Sequence, residues 1–68
     1  MKNIDLSGRV AVITGASRGI GRATAMELGA AGAKLALMGR DVTKLAETLS
    51  MVRASGADAE SYVCDVRY

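Results

Sequence analysis

The sequence predicts an α/β fold. Three parallel strands stand in the order 3-2-1, joined as β-α-β-α-β, with both helices on one face of the sheet. Three observations lead there. Apolar residues run consecutively rather than alternately at residues 10–13 and 35–38, the pattern of parallel strands buried on both faces. Two stretches with helical spacing separate the strands and supply the crossovers. A glycine-rich segment, Thr14-Gly15-Ala16-Ser17-Arg18-Gly19-Ile20-Gly21, joins the first strand to the first helix. Right-handed crossovers carried in one direction put both helices on the same side.

The glycine segment organises the rest. Gly15 lets the chain leave the strand in a tight turn, and Gly19 lets a ligand's phosphates lie against the backbone. Gly21 brings the new helix close to the strand. The helix N-terminus then offers free N–H groups and the positive end of its dipole to an anion. Three glycines alone also fit a flexible turn. The strand before them, the helix after them and a second strand at the βαβ distance make this a dinucleotide-phosphate turn.

Residues 1–7 read as a polar, mobile leader, and Ser7-Gly8 as a turn. The first strand is expected over residues 9–14. The first helix is expected over residues 19–31, with Ile20, Ala23, Thr24, Leu28 and Ala31 on one face and Arg22, Met26 and Glu27 pointing elsewhere. Gly29 inside it costs about 1 kcal/mol relative to Ala. Gly32 suits the left-handed residue that ends the helix. Residues 34–38 form the second strand, and Gly39-Arg40 follows at its C-terminal end. Asp41 is a good N-cap. Val42, Leu45, Leu49 and Val52 recur at spacings of three and four, a core stripe, with Lys44, Glu47 and Thr48 off it. The second helix should end near Ala54-Ser55, and residues 61–64 form the third strand.

Composition excludes several classes. The 68 residues carry a net charge of +2, with basic residues scattered along the chain, so no nucleic-acid footprint is present. There is no histidine and one cysteine. No internal disulfide and no metal site is expected, and Cys64 reads as a small buried hydrophobe. No apolar stretch is long enough to span a bilayer. With no apolar signal core in Met1-Lys2-Asn3-Ile4-Asp5, the expectation is a cytoplasmic protein without nucleic-acid or membrane partners.

The turn resembles, position for position, the Thr-Gly-x-x-x-Gly-Ile-Gly motif of the short-chain dehydrogenase/reductase family. The resemblance runs from about Asp5 to Val66. It takes in Leu6-Ser7-Gly8-Arg9-Val10, Gly32-Ala33-Lys34, Gly39-Arg40 and Cys64-Asp65-Val66, and looks closest to the 3-oxoacyl-carrier-protein reductase group. It implies a Rossmann-type half domain: residues 1–68 as the adenosine- and pyrophosphate-binding N-terminal half of a truncated NAD(P)-binding domain.

The resemblance also implies a cofactor site of Gly15, Ser17, Arg18, Gly19, Ile20, Gly21, Gly39, Arg40, Asp65 and Val66. Ser17 either donates to a phosphate or only shapes the turn. Arg18 is a phosphate partner or a solvated charge. NAD-binding members hold the adenosine ribose with an acid at the end of the second strand. In this family that acid corresponds to Gly39, which has no carboxylate to repel a 2′-phosphate. Arg40 can grip that phosphate in a charge-assisted fork. The pattern resembles the NADP(H)-preferring branch, with NAD(H) possible. Asp41 either caps the next helix or is the ribose acid displaced by two residues; the cap is preferred. Asp65 accepts from the adenine amino group, helped by the Val66 backbone, or merely caps a loop or the next helix.

The family's catalytic set is a Tyr-x-x-x-Lys pair with a Ser and an Asn. Tyr62 is followed four residues on by Val66, and Tyr68 by no lysine. No catalytic residue carries over. The expectation is therefore the cofactor-binding fragment of an NADP(H)-dependent oxidoreductase, moving hydride between nicotinamide and a small carbonyl or alcohol substrate, and inactive alone. Two alternatives stand beside it: a non-catalytic dinucleotide- or adenosine-phosphate-binding module, and an assembly fragment that folds only against a partner. Strands apolar on both faces, with helices on one, also predict self-association through the uncovered face.

Overall fold

The computed structural model describes residues 5–16 and 19–64. The elements are β1 (Val10–Thr14), α1 (Gly19–Ala30), β2 (Lys34–Gly39), α2 (Val42–Ala54) and β3 (Ala59–Val63). Both strand pairs are parallel and β2 lies between β1 and β3, the expected 3-2-1 arrangement. β3 begins at Ala59, two residues before the expected start. Ala59 sits level with Leu35 and is buried.

The register sorts the sheet into two unlike faces. Ala11, Leu35 and Ala59 lie in one row, and Ile13, Leu37 and Ser61 in the next. This side packs under the helices, where Ala25, Leu45 and Val52 complete the core. Val12, Ala36 and Glu60 share a row on the other side, as do Thr14, Met38 and Tyr62. No described helix covers that side: Val10 and Val12 remain mostly exposed and Tyr62 is about half exposed.

Both helices end in the same way. Beyond α1, Gly32 at φ +99° bonds its N–H to Gly29 O, and Ala33 bonds back to Leu28 O. Beyond α2, Gly56 at φ +96° bonds to Arg53 O, and Ala57 bonds back to Val52 O. These are paired closures around a left-handed glycine, and they satisfy the last helical carbonyls. Asp41 caps α2 as expected, its carboxylate accepting from Lys44 N–H at 3.0 Å.

Four expectations are corrected. The expected inward stripe of α1 holds only at its C-terminal end, where Leu28 packs against the core; Ile20 is 87% exposed, and Ala23 and Thr24 also face water. Ala25 and Gly29 are the buried positions, and Arg22 and Met26 are half-buried. The cause is close approach. A Cβ on Gly29 would come within 2.8 Å of Ala57 Cβ and 3.2 Å of Leu35 Cδ1. Small residues face the sheet because nothing larger fits. On α2, Val42 is exposed while Thr48 is fully buried, so the stripe runs Leu45-Thr48-Leu49-Val52. Residues 5–7 are held rather than mobile. Leu6 packs against the core, its N–H donates to Ala31 O at 2.7 Å, and Ser7 N–H donates to Asp5. Residues 1–4 lie outside the described part. Finally, Cys64 is half-buried rather than buried, its N–H bonded to Gly39 O at 2.8 Å.

Candidate functional site

The C-terminal ends of β1 and β2 are neighbours in the sheet, and the chain leaves both at the same edge. Gly15 takes φ +68° directly after β1, a conformation that glycine adopts without the cost a Cβ imposes. The chain then turns into α1 at Gly19. A Cβ on Gly21 would strike the Gly15 carbonyl oxygen and lie 2.8 Å from its carbonyl carbon, so Gly21 is what lets α1 start this close to the strand. A Cβ on Gly19 would meet no described atom within 4 Å. The two glycines therefore do different work. Gly21 is required by the protein's own packing, whereas Gly19 faces open space where a phosphate can approach the backbone.

The electrostatics agree. The first turn of α1 carries no acidic residue, so no side-chain charge there offsets the positive end of its dipole. The Ile20 side chain is exposed and takes no part in the core.

The second corner lies beside the first. Gly39 ends β2 and is buried; Arg40 follows at the surface, and Asp41 opens α2. Ala16 links the two corners, its N–H donating to Met38 O at 3.0 Å. Gly15, Gly19, Ile20, Gly21, Gly39 and Arg40 are thus brought together at one edge of the sheet. Ser17, Arg18, Asp65 and Val66 lie outside the described residues. Asp41 has its carboxylate engaged at the helix start, which fits the N-cap role.

Sequence reasoning passed over a group at this edge. Thr48 is fully buried, and its hydroxyl lies 2.9 Å from Ala16 O. Arg22 Nε donates to the same hydroxyl at 2.8 Å, and a second guanidinium nitrogen donates to Lys44 O at 3.2 Å. The signal was available. Leu45, Thr48 and Val52 are spaced three and four apart, so a hydroxyl falls inside an apolar stripe, and a buried hydroxyl needs partners.

The geometry of this edge fits a dinucleotide: a glycine turn with room for phosphate, a helix N-terminus aimed there, and a glycine followed by arginine one strand away. The chain is similar to known proteins of one family. The family model for short chain dehydrogenase matches residues 9–68. A 2,3-dihydro-2,3-dihydroxybenzoate dehydrogenase of Bacillus subtilis is 40% identical over 62 residues, covering 91% of this chain and 24% of the relative. Trihydroxynaphthalene reductase of Colletotrichum orbiculare is 42% identical over 67 residues, covering 97% and 24%. A metagenomic short-chain oxidoreductase solved in complex with NADP superposes with a TM-score of 0.85 at 55% identity, covering 88% of this chain and 27% of that one. The chain thus spans about a quarter of the length of the proteins it matches. It belongs to the short-chain dehydrogenase family.

Proposed function

We propose that residues 1–68 are the adenosine- and pyrophosphate-binding segment, at the N-terminal end, of a larger NADP(H)-linked oxidoreductase that acts on a carbonyl or alcohol. The observation that carries this reading is the joining of the glycine turn to the Gly39–Arg40 corner through the Ala16–Met38 hydrogen bond. One ligand can reach a phosphate site and a ribose site together. The NADP bound in the metagenomic relative supports the same cofactor. When bound, the nicotinamide supplies hydride chemistry. The residues of this chain bind and orient its adenosine end: Gly15, Ser17, Arg18, Gly19, Ile20 and Gly21 at the pyrophosphate, Gly39 and Arg40 at the 2′-phosphate, Asp65 and Val66 at the adenine. No Tyr-x-x-x-Lys pair occurs in the 68 residues, so the chain alone turns over no carbonyl with NADPH.

Equilibrium binding of NADP+ and NAD+ by the full polypeptide that carries this segment tests the assignment. Arg40→Ala weakens NADP+ by about 1–3 kcal/mol, the scale of a lost charge-assisted contact, and NAD+ far less. Gly39→Asp turns the preference toward NAD+ by placing a carboxylate where the 2′-phosphate lies. Equal loss for both cofactors in Arg40→Ala would remove Arg40 from 2′-phosphate recognition. NADPH oxidation coupled to carbonyl reduction by the 68 residues alone would overturn the division of labour. Self-association through the uncovered sheet face goes with this reading, supported by Val10, Val12 and Tyr62 standing exposed on it.

A further inference from the structure

Thr48 stands on α2, yet its hydroxyl is bonded to the glycine turn. A threonine hydroxyl has one proton to give. Two acceptors lie within reach, Ala16 O at 2.9 Å and Lys44 O at 3.2 Å. Lys44 O also accepts from the Arg22 guanidinium and, in a regular α-helix, from the Thr48 N–H. Ala16 O is nearer, and it is buried with Thr48. The proton therefore goes to Ala16, while Arg22 Nε supplies the hydrogen bond that the Thr48 oxygen accepts. Ala16 is held on both sides: its N–H by Met38 at the end of β2, its C=O by Thr48 on α2. The N-terminus of that same helix is capped by Asp41, directly after Gly39 and Arg40.

We propose that Thr48, supported by Arg22, is a positioning residue of the dinucleotide site. It fixes the separation and orientation of the phosphate turn relative to the ribose corner, so that both engage one ligand without first being ordered by it. The proposal rests on the cofactor reading above. It adds that the two parts of the site are coupled through a side chain that touches no part of the ligand. Loss of the clamp should therefore penalise a ligand that spans both parts and spare one that occupies only the corner.

The experiment is equilibrium binding of NADP+ and of adenosine 2′-monophosphate, which lacks the pyrophosphate, to the full polypeptide that carries this segment. Circular dichroism checks the fold of each variant. Thr48→Val keeps the volume and removes the hydroxyl. The expected result is NADP+ binding weakened about 3- to 10-fold, the scale of one neutral hydrogen bond, with adenosine 2′-monophosphate within twofold of wild type. Thr48→Ser restores NADP+ binding, and Arg22→Met shows the same ligand pattern with a smaller loss. Wild-type NADP+ binding by Thr48→Val, equal loss of both ligands, or failure of Thr48→Ser to rescue would overturn the positioning role. If Thr48→Val does not fold, Arg22→Met decides on the same ligand criterion. A wild-type protein that binds neither ligand would overturn the cofactor reading itself, and the positioning role with it.

Discussion

The two faces of the sheet are built from similar residues and meet opposite environments. Leu35 and Leu37 on β2 are buried beneath the helices, while Val10 and Val12 on β1 stand in water on the reverse side. All four are β-strand aliphatics, and their strands read alike in sequence. Crossover handedness makes the difference: two right-handed connections carried one way across the sheet deliver both helices to one side. Hydrophobicity determines that a strand wants cover, and topology determines which side receives it.

The largest test exchanges those roles at single positions. Leu37→Ala, at a fully buried side chain, is expected to cost about 2–5 kcal/mol of stability in urea unfolding. Val12→Ala in the 68-residue chain should fall within about 0.5 kcal/mol of wild type, as exposed substitutions usually do. In a polypeptide that continues past residue 68, Val12→Ala should cost more, because further chain would cover that face. Costs within about 0.5 kcal/mol for Val12→Ala in both contexts would mean that nothing covers it in either.

Next in size is Gly29→Ala. Helix propensity alone favours alanine by about 1 kcal/mol. The added methyl would lie 2.8 Å from Ala57 Cβ, and overpacking costs about 1–3 kcal/mol. The expected net effect is a loss of stability, seen as a lower urea midpoint. A gain would show that α1 can move off the sheet without penalty.

The glycine shows why some of the molecule was legible in sequence and some was not. The strands, the crossovers, the Asp41 cap and the Gly15 and Gly32 turns were readable because each follows from local backbone chemistry or from an unbroken apolar run. The inward face of α1 was misread because a periodicity argument weighs side-chain size. It chose Ile20 and passed over Ala25 and Gly29, where close packing selects the absence of a side chain. Thr48 was missed for the complementary reason: its polarity placed it outside the stripe, while its partners, Ala16 and Arg22, are distant in sequence. At the site, the glycine turn and the Gly39–Arg40 corner were visible as residue types in order. Their connection through Ala16 and Met38 is a tertiary contact, and no local pattern encodes it.

The uncovered face supplies a third test. A paired change, Val10→Thr and Val12→Thr, keeps β-branching and strand propensity while adding hydroxyls to the bare side. Sedimentation equilibrium of the chain should show weaker self-association for the pair than for wild type, with little change in far-ultraviolet circular dichroism. An unchanged association constant would place the contact elsewhere, at the open edge of β1 or of β3.

The smallest expected effect concerns acid, and it separates the faces in another way. Among the described residues, the buried polar side chain is Thr48, and no ionisable side chain is buried. Acid therefore has no charge to unmask beneath the helices. The carboxyl of exposed Asp5 is held below its ordinary value by hydrogen bonds from the Ser7 hydroxyl and then the Ser7 N–H. A depressed folded pKa means that the ionised form is favoured in the folded state. The contribution is complete above the ordinary value of 3.8 and is lost as pH falls through the lower folded value. Asp5 stands beside Leu6, whose N–H ties the segment to Ala31 at the end of α1. Loosening Asp5 should free residues 5–7 without opening the core. Amide exchange at Leu6 and Ser7 is the measurement. In wild type it should rise, relative to the core amides of Leu35 and Leu37, as pH is lowered from 5 toward 3, whereas in Asp5→Asn it should already be raised at pH 5 and change little further. A parallel rise at Leu35 and Leu37 in the same range would show that acid reaches the covered face through a group other than Asp5.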